Sequence, residues 1–101
     1  MTEADRIAWI FLAVWFWDKN PVTRLELIHS ADELAQVEPE EDEIDLAVSF
    51  LTQHQLLEAD GDRFTITVAG LELLSAAGNG AATIFDAWKA LEARFSSMGA
   101  V

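Results

Sequence analysis

Three observations predict a mostly helical α+β domain. Apolar residues recur at intervals of three and four along most of the chain, the period of an amphipathic helix. Signals that start helices stand at Thr2, at Pro21-Val22-Thr23, at Pro39 and at Thr67. One stretch breaks the period, two short runs around Asp60-Gly61-Asp62, and reads as a β-hairpin. The expected architecture is a three-helix core with a hairpin, a helix after it and an additional C-terminal helix. The 101 residues suit one domain. Within it, residues 1–20 form an aromatic-rich helix, 21–77 a core of helix, helix, hairpin and helix, and 80–98 a last helix.

The first helix is expected over Glu3 to Lys19. Thr2 followed by Asp5 resembles a capping box, and Pro21 disfavours helix in the residue before it. Ile7, Ile10, Phe11 and Val14 share one face, with Trp9, Leu12 and Phe16 opposite, so this helix has two faces to bury. Thr23 caps a second helix running to about Gln36, with Leu25, Leu27, Ile28 and Leu34 inward. Pro39 opens a third, whose Ile44, Ala47, Val48 and Leu51 form one stripe flanked by Phe50, ending near His54. In the hairpin Phe64 and Ile66 alternate onto one face. Thr67 caps a fourth helix, Val68 to Ala77, with Val68, Leu71 and Leu74 inward and Gly78 as terminator. Beyond Asn79-Gly80, the residues Ala81, Ile84, Trp88, Leu91, Phe95 and Met98 repeat at three and four, the seam of a short heptad pattern.

Eighteen Asp and Glu against six Lys and Arg give a net charge of −12. High charge with low hydropathy would signal disorder, but ten aromatic residues and a positive mean hydropathy point to a folded core. A chain of this size buries roughly 65% of its unfolded surface, so it needs no staples. The absence of cysteine excludes disulfides and thiolate metal sites. The longest apolar run, Ile7 to Trp17, is shorter than the ~20 residues of a membrane span. Glu3 and Asp5 before it and the lack of a small-residue cleavage site after it argue against a signal peptide. No membrane partner is expected, and the default location is cytoplasmic.

The run from Pro21 to Ala77 resembles a winged helix-turn-helix domain. The likeness rests on Pro21-Val22-Thr23, on Ile44 to Leu57 leading into the hairpin, and on Arg63-Phe64-Thr65-Ile66-Thr67-Val68-Ala69-Gly70 before a Leu-rich helix. It covers about three quarters of the chain. Two positions depart from the pattern: Gln55 stands where the family usually has Gly, and Val68-Ala69 where it usually has Pro-Glu. Gln55 fits if its backbone keeps a negative φ. The resemblance implies a winged-helix-like fold, a third helix and wing in the place of DNA contacts, and terminal helices that build a dimer, as in regulators of the PadR and MarR types.

The charge on that face argues against DNA. From Pro39 to Thr67 one basic residue, Arg63, stands against eight acidic ones, a net of −7. Phosphate contacts need Lys or Arg, so direct nucleic-acid binding is not expected here. The acidic residues have two readings: complements to the helix dipole on a solvated face, or a docking surface for a basic protein partner. The candidate partner-binding residues are Glu40, Glu41, Glu43, Asp45, Asp60 and Asp62.

The aromatic first helix and the stripe of the last one are expected to meet across a homodimer through Trp9, Leu12, Phe16, Ile84, Trp88, Leu91 and Phe95. Packing within one chain, or a small apolar ligand between aromatic walls, are the alternatives. His29 and His54 have no Ser or Cys arranged beside them, and Asp60-Gly61-Asp62 has the residue types of a tight turn. No catalytic residue, metal ligand or cofactor is expected. The sequence therefore reads as a non-enzymatic, homodimeric protein-interaction module, with a DNA-binding transcriptional regulator and a small apolar ligand sensor as alternatives.

Overall fold

The computed structural model describes residues 1–101, in the order α1 (Glu3–Phe16), β1 (Val22–Thr23), α2 (Arg24–Ala35), α3 (Glu41–Gln53), β2 (Leu57–Asp60), β3 (Arg63–Ile66), α4 (Val68–Gly78) and α5 (Ile84–Ser97). This is a mostly helical α+β fold with one small antiparallel sheet of strand order β1-β3-β2. No helix is long and apolar enough to cross a membrane.

Helix α1 is the centre of the molecule. Every residue from Ile7 to Val14 is buried, because α2 and α3 cover part of its surface and α5 covers another part. Of the two apolar faces read from the sequence, Ile7, Ile10, Phe11 and Val14 on one and Trp9 and Leu12 on the other are buried within a single chain, while Phe16 is exposed. Trp9 donates its indole N–H to the Ala31 carbonyl of α2 at 2.9 Å and stacks on Trp88 of α5 at 6.4 Å between ring centroids. Phe95 of α5 meets Phe11 of α1 and Phe50 of α3 edge to face, at 5.8 and 5.6 Å. Aromatic pairs favour this geometry, and here it ties three helices to one ring.

The helix ends follow local chemistry. Thr2 accepts from the Asp5 amide at the start of α1, one half of the expected capping box. α1 ends at Phe16, short of the expected Lys19, because Asp18 turns into the left-handed region (φ 55°) and the chain reverses. The reversal brings the Trp17 indole N–H and the Lys19 ammonium onto the same Glu26 oxygen, at 3.1 and 2.8 Å. Glu26 also accepts from the Thr23 amide while Thr23 accepts from the Glu26 amide, a full capping box on α2. With Lys19 as the first cause and the Thr23 amide as the second, the Glu26 carboxyl is held down to about 2.

Three inward assignments are corrected. Leu25 is exposed; the buried face of α2 is Leu27, Ser30, Ala31 and Leu34, with a polar residue where the apolar pattern had a gap. The Ser30 hydroxyl donates to the Ala13 carbonyl at 2.7 Å. Ala13 is among the last four residues of α1, whose carbonyls lack intrahelical partners. Val68 and Leu71 of α4 are likewise exposed, while Gly70 and Leu74 face inward. A Cβ on Gly70 would stand 2.3 Å from the Leu56 carbonyl oxygen and 2.7 Å from Ile66 Cγ2, so the missing side chain lets α4 lie against the hairpin base.

The strand β1 was not foreseen. Val22 and Thr23 pair with Phe64 and Arg63, so β3 becomes the middle strand, and Val22 is buried. In the hairpin Asp60 pairs with Arg63 across Gly61-Asp62, with Gly61 at φ 59°. At the hairpin's entry Gln55 adopts φ 60°, contrary to the negative φ expected of it. Thr67 holds this turn in place: its hydroxyl donates to the Gln55 carbonyl at 2.7 Å and accepts from the Gly70 amide at 3.0 Å.

Candidate functional site: the acidic face of α3 and the hairpin

The third helix begins with a dense run of acid. Glu41, Asp42 and Glu43 lie in its first turn after Glu40 at the cap, where carboxylates complement the positive end of the helix dipole. Ile44, Ala47 and Leu51 pin the opposite face into the core, so the acidic residues are held outward by apolar anchors one turn apart.

The candidate residues divide into two groups. Glu43 and Asp45 have partners within the chain. Glu43 accepts from the Glu40 amide at 2.9 Å and pairs with Arg6 of α1 at 3.0 Å. Asp45 pairs with Arg24 of α2 at 2.9 Å. Glu40, Glu41, Asp60 and Asp62 are exposed and take part in no ion pair, and the exposed Asp42 joins them. Arg24 connects the two halves of the site. Its guanidinium reaches Asp45 and, at 3.4 Å, the Glu41 carbonyl, while its backbone N–H donates to the Asp62 carbonyl at 2.7 Å. The hairpin tip is therefore fixed beside the N-terminal half of α3, and residues about twenty positions apart share one surface.

Arg63 is the one basic residue of this region and is exposed. It lines a shallow groove of about 720 Å³ along the hairpin, with Thr52, Glu58, Asp60 and Thr65. The groove is thus lined by two carboxylates and one guanidinium. Two other cations, Arg6 and Arg24, are engaged with carboxylates of α3 itself. Sequence reading missed both pairs, since the partners lie 37 and 21 positions apart and only the helix packing brings them together.

The residues expected at a dimer seam are placed differently. Trp9, Leu12, Leu91 and Phe95 are at most 1% exposed, because α5 folds back onto α1 of the same chain. Ile84 and Trp88 are partly buried, the Trp88 indole donating to the Asp5 carbonyl at 3.2 Å, and Phe16 alone of the seven is exposed. That stripe is an intramolecular core. An apolar groove of about 380 Å³ lies instead beside Trp15, walled by Leu12, Leu71, Leu74 and Ala87. His54 lies against Phe50 in a tilted arrangement, 4.4 Å between centroids and 42° between planes, and His29 is exposed. No group of three or more His, Asp or Glu side chains converges on a point where a metal ion could be held.

Comparisons of the chain with protein families, with curated proteins and with solved structures find no match.

Proposed function

We propose that this chain is a protein-interaction module on a winged-helix-like frame, whose acidic α3 and hairpin tip engage a basic protein surface. The frame reading is supported by the three-helix core and by the hairpin that follows the third helix. One observation carries the binding reading. The two cations that pack against α3, Arg6 and Arg24, are engaged by Glu43 and Asp45, which leaves Glu40, Glu41, Asp42, Asp60 and Asp62 outward without a paired cation. A DNA phosphate approaching this face meets like charge. At ~4 Å each such pair costs about 1 kcal/mol in water, enough for several to cancel non-specific affinity.

The experiment is a titration with a lysine-rich peptide at rising salt, using the wild-type chain and Glu41→Lys with Asp42→Lys. Glu43 and Asp45 are left intact because they hold α3 to α1 and α2. Binding that weakens with salt and is lost in the double variant is the expected result. Salt-independent binding, or a specific mobility shift with duplex DNA at low salt, would overturn the proposal.

A further inference from the structure

The groove between α4 and α5 is an apolar part of the surface of an acidic chain. It measures about 550 Å³, and seven of its nine lining residues are apolar, in a chain whose net charge is −12. On α4, Ala69, Leu73 and Ala76 supply one wall at helical spacing; Ala90 of α5 and Met98, which caps that helix, supply the other. The small side chains let another helix come close, and interhelical distances shorten as contact residues shrink. The two remaining lining residues are charged and opposite, Glu72 on α4 and Arg94 on α5. Both are exposed, and neither takes part in any of the three ion pairs of the chain.

We infer that this groove is the docking site of a second copy of the chain, arranged about a two-fold axis that sets Glu72 of each copy against Arg94 of the other. In an isologous interface residue i meets j and j meets i, so one unpaired anion and one unpaired cation on opposite walls satisfy each other twice. The patch is also neutral in sum, which lets two strongly acidic molecules touch without opposing like charges at the contact. Nine lining residues are well short of the roughly 20–30 per side of a standard interface, so the dimer is a weak one. The inference uses none of the residues of the acidic face and stands apart from the function proposed for it.

Charge exchange tests it. The full chain is examined by sedimentation equilibrium up to about 1 mM, the concentration matching the weakest specific affinities, with circular dichroism confirming the fold of each variant. The wild type is expected to dimerise, and Glu72→Arg or Arg94→Glu alone to weaken dimerisation at least about tenfold. The variant carrying both changes, and an equimolar mixture of the two single variants, restore complementarity and should dimerise again. Ala76→Glu, on the exposed apolar wall, should abolish the dimer without unfolding the chain. A wild type monomeric throughout, single variants that dimerise as the wild type does, or an exchange that fails to restore the dimer would each overturn the inference.

Discussion

Gly70 shows how one residue sets the position of a helix. The Leu56 carbonyl and the Ile66 side chain occupy the space where its Cβ would stand, and the nearer of the two is backbone, which cannot turn aside as a flexible side chain can. Gly70→Ala should therefore destabilise the chain by about 1–3 kcal/mol, the range for overpacking a tight site, despite alanine's better helix propensity. Urea unfolding checks this; a stability equal to or above wild type would show that α4 shifts freely. The same position explains the misassigned face of α4. Leu71, Leu73 and Leu74 permit more than one inward stripe, and the residue that decides between them has no side chain to enter a hydrophobic pattern. Ser30 is the polar counterpart: its place on the buried face of α2 becomes intelligible only once the end of α1 presents the Ala13 carbonyl to it. Gln55 belongs here too. A left-handed residue that carries a Cβ costs roughly 1–2 kcal/mol, because the Cβ crowds a carbonyl oxygen, and the Thr67 hydroxyl that grips the Gln55 carbonyl helps to hold it there.

Among the elements, α5 changes most between sequence and structure. Its heptad-like stripe was legible, as was its apolar counterpart on α1; what they pack against was not. A stripe of this kind serves equally as a seam between copies or as the cover of a chain's own core, and periodicity does not distinguish them. Phe95 decides the matter physically, since its ring contacts Phe11 and Phe50 of the same chain and is fully buried. Phe95→Ala should accordingly cost about 3–5 kcal/mol of folding stability, a large part of the ~5–15 kcal/mol that holds a domain. Chemical denaturation monitored by tryptophan fluorescence measures it. A folded variant of unchanged stability but altered mass would return α5 to the role of an intermolecular seam. The helix starts at Thr2, Thr23 and Thr67 were readable, because a hydroxyl cap is a local interaction. The strand β1 was not, because two residues carry no alternation and their partners lie some forty positions away.

For the molecule as a whole, the distribution of carboxylates predicts an optimum of stability on the acid side of neutrality. Glu26 is held down to about 2 by Lys19 and the Thr23 amide, against an ordinary value of 4.5. Its contribution is present above the ordinary value and is lost as pH falls from there towards 2. Glu92 is displaced upward, first by its hydrogen-bonding contact with Asp5 and then by desolvation and the repulsion of that carboxylate. A group raised in the folded state favours folding at low pH, and that contribution disappears as pH rises through its folded value. Lowering pH from 7 therefore protonates Glu92, which can then donate to the Asp5 carboxylate, and eases the repulsion within a chain of charge −12, until the loss of Glu26 dominates. The melting temperature should rise as pH falls from 7 towards the ordinary carboxylate range and fall as pH drops below 4.5 towards 2, and Glu26→Gln should flatten that acid limb. Thermal melts across this range check it; a steady decline from pH 7 downward would contradict the assignment.

The sequence by itself determined the helices, the hydroxyl caps at Thr2, Thr23 and Thr67, the hairpin and the concentration of acid between Pro39 and Thr67, because each depends on neighbours within a few positions of one another. Only the tertiary structure decided which apolar faces are spent inside the chain, that Arg6 and Arg24 are engaged by α3, and that Glu72 and Arg94 share one groove without pairing. Those outcomes depend on which helices become neighbours, a matter of packing between distant segments to which local periodicity and composition are blind.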